Sequence, residues 1–313
     1  MSLSAPIFVS VVVCTRDRPA DLARCLPTLL ALEYPSFDIT VVDQSDTEDT
    51  ARLVTTAVES CSAWTLHSER DRQPRALHYL HTASRGLSHA RNTGIRVSSG
   101  EVIAFTDDDC TVPPNWLAKG VEAFGGDPAA GMVFGALNAA PHDESREYVP
   151  TFAPRAYRVI DGPDLGGLPG AGANMLVRRE LFDVVGLFDI WLGAGGRFRS
   201  AEDLLMAHRA IAAGYRIVQD PATEVIHWGA RPLATGDAHR LRADGYYGAG
   251  AGFGWYARRG DRAARRALAG EIAHLSRLTA SNLLSTGRPQ GVRLLAWFLR
   301  GALDVTVRPP TST

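Results

Sequence analysis

With 313 residues, the chain is long enough for one large α/β domain, or for a domain of about 220 residues plus an extension, because single cores stop growing near ~250–300 residues. Lys+Arg number 33 and Asp+Glu 34, a formal net charge of -1 that offers no overall basic field, so no nucleic-acid partner is expected. The four cysteines (Cys14, Cys25, Cys61, Cys110) form no C-x-x-C pair and have no His at finger spacing, which argues against a zinc finger and a disulfide framework.

The apolar run Ile7 to Cys14 is short, lacks a basic leading region and passes straight into Arg16 and Asp17. It reads as a first buried strand and not as a signal peptide, and a reducing cytoplasm is the expected setting. After Pro19, the spacing of Leu22, Cys25, Leu26, Leu29 and Leu30 predicts a helix, and Ile39 to Val42 a second strand. Ser45-x-x-Glu48 has the form of a capping box, opening a helix that turns Leu53, Val54, Ala57 and Val58 inward. Trp64 to His67 is a short third strand. A helix follows from about Leu87 to Val97, ends at Ser98-Ser-Gly100, and yields to the strand Val102 to Thr106, which delivers the chain into Asp107-Asp108-Asp109. This alternation of strands and helices predicts crossover units and a mostly parallel, Rossmann-like α/β sheet flanked by helices.

The second half is less regular. A strand near Met132 to Gly135 precedes a Pro- and Gly-rich passage, about residues 138 to 172, expected to be acceptor-facing loops. Then come a strand (Asn174 to Val177), a helix around Arg179 to Val185, a glycine-rich loop (Gly193 to Gly196), a helix from Ala201 to Ala213, and two short strands, Arg216 to Val218 and Glu224 to His227. Beyond Trp228 the sequence reads as a helical, Arg- and Ala-rich extension. Its most apolar stretch, Val292 to Val307, is broken by Arg293, Arg300 and Asp304, so it is too short and too charged to span a bilayer but could lie on one.

In parallel sheets, ligands bind outside the carboxyl ends of the strands. Asp17, Asp43 and the run Asp107 to Asp109 all follow strands. A lone Asp there is as readily a cap or turn former. Three consecutive carboxylates repel one another and favour a bound cation, and hard oxygen ligands suit magnesium or manganese. The bland alternative is a solvated acidic turn.

Taken together, Val11-Val-Val-Cys-Thr-Arg-Asp-Arg-Pro19, Val41-Val-Asp-Gln-Ser45, Ala90-Arg-Asn-Thr-Gly94, Gly100-Glu-Val-Ile-Ala-Phe-Thr-Asp-Asp-Asp109, Gly172-Ala-Asn-Met175, Val185-Gly-Leu-Phe-Asp189, Glu202-Asp203 and Val225-Ile-His227 resemble the family 2 glycosyltransferases of GT-A fold. The likeness covers about residues 7 to 228, and rests on the order and spacing of motifs that are individually weak. It implies an inverting transfer of a sugar from a nucleotide-sugar donor, a UDP-sugar first, to a glycan or lipid-linked acceptor, with a divalent cation (Mn or Mg). It also implies a catalytic domain at 1–228, with a nucleotide-binding half at about 1–110 and an acceptor half at about 111–228, followed by an extension at 229–313.

By position, the resemblance makes Asp43 the reader of the nucleotide base and places Thr15, Asp17 and Arg91 with the donor. Asp107 and Asp109 match the two acids of a D-x-D element, with Asp109 the direct metal ligand and Asp107 toward the ribose and the metal's water shell; the triple Asp leaves this register open by one residue. His227 matches the histidine that completes the metal site. Glu202-Asp203 matches an acidic pair whose second member is the general base, although Ser200-x-x-Asp203 is also a capping pattern. Asn174, Glu202 and Trp228 fall on the acceptor or sugar side. Two departures stand out: Gln44-Ser45-Asp46 replaces the family's D-G-S or N-G-S, and Arg197 and Arg199 replace aromatic residues, read either as a site for an acidic acceptor or as a solvated loop.

Other readings carry less. A nucleotidyltransferase would want a glycine-rich, basic phosphate loop near the first strand, where only Arg16 and Arg18 stand; a catalytically inactive glycan-binding relative would not keep Asp109, Asp203 and His227 together. Gly250-x-Gly252-x-Gly254 follows no strand and so reads as a flexible or tightly packed segment and not as a dinucleotide fingerprint. The basic cluster Arg258, Arg259, Arg262, Arg265 and Arg266, the aromatics before it, and Leu294, Leu295, Trp297, Phe298 and Leu303 suggest peripheral contact with an anionic membrane surface on its cytoplasmic face. The competing expectation is that this last helix packs back on the catalytic domain.

Overall fold

The computed structural model describes residues 6–67, 75–162, 168–286 and 291–310. The chain forms β1 (Val9–Thr15), α1 (Pro19–Leu30), β2 (Phe37–Asp43), α2 (Asp49–Glu59), β3 (Thr65–His67), β4 (Ala76–His81), α3 (Leu87–Val97) and β5 (Val102–Asp107), then β6 (Cys110–Thr111), α4 (Trp116–Ala123), β7 (Ala130–Ala139), β8 (Glu147–Tyr148) and β9 (Arg158–Ile160). It continues through β10 (Asn174–Arg178), α5 (Arg179–Val185), α6 (Glu202–Ala212), β11 (Arg216–His227) and β12 (Arg231–Pro232) to three long helices, α7 (Asp237–Arg258), α8 (Arg262–Thr286) and α9 (Val292–Val307).

The main sheet runs β3-β4-β2-β1-β5-β10-β7-β11-β6, with β9 added beside β11. Strands β3, β4, β2, β1 and β5 are mutually parallel, β11 is parallel to β7, and β10 runs antiparallel between the two groups. A sheet covered on both faces demands near-continuous apolar strands, and the sequence Val-Ser-Val-Val-Val-Cys-Thr of β1 meets that demand. Its side chains alternate faces: Val9, Val11 and Val13 join Leu22, Leu26 and Leu29 of α1 in one core, while Val12 joins Phe105, Met175 and Met206 in the other. β1, β2 and β5 end together at the same carboxyl edge, Thr15 beside Asp43 and Cys14 beside Asp107.

The structure corrects several sequence expectations. β4 was not anticipated, because His78 and His81 interrupt its apolar signal; yet Leu77 is fully buried and pairs in register with Ile39. The short α4 was likewise missed. The passage expected to be loop from 138 to 172 contains the end of β7, β8 and β9, and β8 pairs with β12. The two strands expected at 216–218 and 224–227 are one strand, β11, whose register breaks between Asp220 and Glu224 where Pro221 cannot donate to the ladder.

The helical tail has a core in common with the sheet-bearing part: Leu192, Phe198, Ala201 and Leu205 cluster with Tyr247, Phe253 and Phe298. The glycine-rich segment of α7 makes this possible by close backbone approach. A Cβ on Gly250 would enter the Phe298 carbonyl of α9, one on Gly301 the Tyr247 carbonyl of α7, and one on Gly248 the Ser200 carbonyl just before α6. Arg199, considered for an acidic acceptor, is instead engaged with Asp244 of α7 at 2.9 Å. Among the described residues, no helix is long and apolar enough to cross a membrane. Because Gly245 sits in the same helix with nothing near its virtual Cβ, the two positions should respond oppositely: Gly250→Ala should lower stability in urea unfolding by about 1–3 kcal/mol, and Gly245→Ala should raise it by about 0.5–1 kcal/mol.

Candidate active site

The carboxyl edge of β1 and β5 gathers the three consecutive acids, and each finds a different partner. Asp108 is buried; its Oδ2 accepts the Thr15 hydroxyl at 2.7 Å and its Oδ1 accepts Arg18 Nη1 at 3.2 Å. Burial pushes its pKa up to about 6, against the bonds from Thr15 and Arg18. Asp107 faces the other way, with Oδ1 at 3.5 Å from Arg91 Nη2, and burial raises its pKa, with Asp109 adding to the rise and Arg91 opposing it. Asp109 Oδ2 also meets Arg18 Nη1 at 3.2 Å, while its Oδ1 lies 3.3 Å from His227 Nε2.

The Asp109–His227 pair fits a cation. The Pro150 carbonyl, 2.9 Å from His227 Nδ1, can only accept, so Nδ1 carries a hydrogen and Nε2 of the neutral ring presents a lone pair. That lone pair faces a carboxylate oxygen, and two acceptors at this distance need a proton or a metal ion between them. In its protonated form the pair is self-stabilising: burial works against the imidazolium, but Asp109 outweighs it and raises the His227 pKa, and His227 and Arg18 hold Asp109 below the usual carboxylate range despite burial. Ligand atoms of Asp109, Cys110 and His227 lie within 4.8 Å of one another. Burial keeps the Cys110 thiol protonated, so oxygen and imidazole dominate the donor set, a chemistry suited to manganese or magnesium. Gly229 leaves the approach open: a Cβ there would stand 2.6 Å from His227 Nε2 and 2.7 Å from Asp109 Oδ2.

A second cluster joins this one through Arg91. Its guanidinium is almost wholly buried between the rings of Phe105 and Phe188 and bonds Glu202 Oε1 at 2.7 Å. Burial opposes its charge, but Glu202 and Asp107 more than restore it. Burial, with Asp203 adding, pushes Glu202 up to about 7. Asp203 itself is half-buried, its Oδ2 accepting the Gly172 amide at 2.8 Å and its Oδ1 the Leu204 amide at 2.7 Å. The capping alternative is not the geometry adopted: Ala201, in the left-handed region at φ 72°, precedes α6, with no side-chain cap bond.

The remaining expected residues scatter. Asp43 is 0% exposed, and its oxygens accept the Ser45 amide at 2.8 Å and the Tyr79 hydroxyl at 2.7 Å. Asp17, at φ 56°, accepts the Asp46 amide while its own amide bonds the Ser45 hydroxyl, so the turns after β1 and β2 are tied together. Trp228 keeps an exposed face, with Arg24 stacked over its ring at 5.0 Å and its indole N–H on Thr111. Asn174 corrects the expectation of an acceptor-side role: it is fully buried, donating to the Ala136 and Thr223 carbonyls and accepting from Trp116, so it clamps β10 to its neighbours and offers no surface to a sugar. Two residues were missed. Arg18 was noted only as part of a poor phosphate loop, although its place directly after strand β1 was a signal; Tyr79 lies on the strand the sequence did not reveal.

Comparison with known proteins identifies the family and the fold. Residues 10–186 match the profile of Glycosyl transferase family 2. The glucosyl-dolichyl phosphate glucuronosyltransferase of Haloferax volcanii is 26% identical over 229 residues, 70% of this chain and 66% of that protein. The succinoglycan biosynthesis protein ExoM of Rhizobium meliloti is 30% identical over 203 residues, 61% and 58% of the two chains. The chain thus matches two thirds or less of these relatives' lengths. Among solved structures, the mannosyltransferase PcManGT from Pyrobaculum calidifontis, in complex with GDP-Man and Mn2+, superposes with a TM-score of 0.62 at 18% identity, covering 98% of this chain and 89% of that one. TarS 1-349 of S. aureus in complex with UDP-GlcNAc gives 0.53 at 16% identity, covering 76% and 65%. With more than half of its length matched by the family profile and a GT-A architecture, the chain belongs to glycosyl transferase family 2.

Proposed function

We propose that the protein is an inverting, metal-assisted glycosyltransferase that moves a sugar from a nucleoside diphosphate sugar to an acceptor hydroxyl. The observation that supports it most is the Asp109–His227 pair beneath Gly229, joined through Asp107, Arg91 and Glu202 to the half-buried carboxylate of Asp203. In this reading Asp109 and His227 would hold a divalent cation, manganese or magnesium, with Asp107 on the ribose side of the site. The cation would neutralise charge on the departing diphosphate as a Lewis acid. Asp203 takes the proton of the acceptor hydroxyl; the two backbone amides on its oxygens fix the carboxylate's direction while each oxygen keeps a lone pair. Thr15, Asp17 and the tied turns after β1 and β2 form the nucleoside side, which Asp43 supports from beneath by holding Ser45. Trp228 offers an aromatic face to a sugar.

A UDP-sugar is the first donor to test, with GDP-mannose the alternative bound by a structural neighbour. The relatives named for dolichyl phosphate and succinoglycan support a lipid-linked or polysaccharide acceptor.

Transfer should stop on EDTA treatment and return with Mn2+ or Mg2+; unchanged turnover would exclude a metal role. Asp109→Ala should abolish metal-dependent nucleotide binding in calorimetry, whereas Asp108→Ala, which removes a partner of Thr15 and Arg18, should retain most of it. Asp203→Asn should cut transfer on the order of 10²–10⁴-fold with nucleoside diphosphate affinity unchanged, since a general base acts in the chemical step. Loss of affinity together with turnover would make Asp203 a structural residue.

A further inference from the structure

The near-neutral whole conceals a polarised molecule. Residues 229–313 carry 13 arginines against five acidic residues, a formal +8, whereas residues 1–228 sum to -9. Charge asymmetry between parts of a chain accompanies contact with polyanionic surfaces.

Helix α9 adds an apolar component that shares only Leu303 with the set its sequence suggested. Leu294, Leu295, Trp297 and Phe298 pack into the core formed with α7. The opposite side leaves Val292, Ala296, Leu299, Leu303 and Val307 exposed, Leu303 by 63% and Val307 by 74%. Their spacing of i, i+4, i+7, i+11 and i+15 places all five on one face over about 22 Å of helix. Arg293 and Arg300, seven residues apart, edge the stripe, and Arg308 follows its end; all three are exposed. The acidic residue of α9, Asp304, is occupied by Arg300 and the Tyr247 hydroxyl. Where α8 adjoins the start of α9, with Gly291 against Thr279, α8 leaves Leu283 and Leu284 exposed, the latter by 89%.

We propose that this face of α9 lies on an anionic lipid bilayer, its five apolar side chains entering the interfacial layer and Arg293, Arg300 and Arg308 staying at the depth of the phosphates. An apolar stripe edged by cations is the pattern that combines interfacial burial with attraction to acidic lipids. A second copy of the chain fits less well. An antiparallel two-fold contact through the stripe would bring the arginine rows together with no free acid on α9 to pair them. The contact of Gly248 with Ser200 places the bilayer-bound helix only one helix, α7, from the segment that leads into Glu202 and Asp203. The proposal is independent of the glycosyl-transfer reading, because it concerns a surface and not the acids.

The test is flotation of the full chain with phosphatidylcholine vesicles, with and without phosphatidylglycerol, at low and high salt. Binding is expected only with phosphatidylglycerol, weakened by salt. It should drop on the order of tenfold or more in Leu303→Ser/Val307→Ser and in Arg293→Gln/Arg300→Gln, with thermal unfolding midpoints preserved because these side chains are exposed. No flotation at low salt, or flotation untouched by both variants, would overturn the assignment. So would ultracentrifugation showing a lipid-free dimer that Leu303→Ser/Val307→Ser dissociates, since the stripe would then belong to a second copy.

Discussion

The buried guanidinium of Arg91 is the constraint around which the rest is organised. An arginine enclosed between Phe105 and Phe188 must be paired, since an uncompensated buried charge costs several kcal/mol. Its partners come from separate parts of the chain: Asp107 from the end of β5 and Glu202 from the start of α6. Satisfying one charge therefore docks α6 against the parallel half of the sheet and fixes where the acids at each end can stand. Gly172 belongs to the same requirement, because a Cβ there would press into the Arg91 guanidinium and displace the loop whose amide holds Asp203. Packing, charge compensation and the orientation of Asp203 are thus one problem with one solution.

The three consecutive aspartates show how a strand end divides labour among identical side chains. Asp108 turns into a buried bond with Thr15 and Arg18, leaving Asp107 to Arg91 and Asp109 to His227. Three like charges survive side by side because each has its own cation or donor. Arg18 spans two of them from the turn after β1 and so lowers the mutual repulsion that would otherwise open this edge.

How much of this could be read from residues alone depended on the range of the interaction. The strands β1, β2 and β5 announce themselves because burial on both faces forces β-branched runs, and the family motifs include Asp43 and Asp107 to Asp109 at the ends of β2 and β5 and His227 at the end of β11. Where a local rule met a tertiary demand, the local rule lost. Ser200-x-x-Asp203 satisfies a capping pattern on paper, but Ala201 takes the left-handed conformation and the carboxylate reaches across to Gly172. Asn174 sits in a recognisable motif, yet its role is set by Trp116, Ala136 and Thr223, which are 58, 38 and 49 residues away in sequence. β4 escaped notice because its two histidines hide a strand that the sheet nevertheless requires between β2 and β3. The role of the α7 glycines emerged only once α9 lay against them.

Those glycines have a consequence for how the tail can be exchanged or shortened. Because α7 meets α9 and the Ser200 segment backbone to backbone at Gly248, Gly250 and Gly301, a substitute has no room for a side chain at those three points. Ending the chain at residue 228 would leave Leu192, Phe198 and Leu205 uncovered, three side chains now shielded completely from water. The helical tail is therefore not a portable module: a chimera that borrows this sheet must take α7 and its counterface on α9 with it, or build a new surface to cover the same apolar ground.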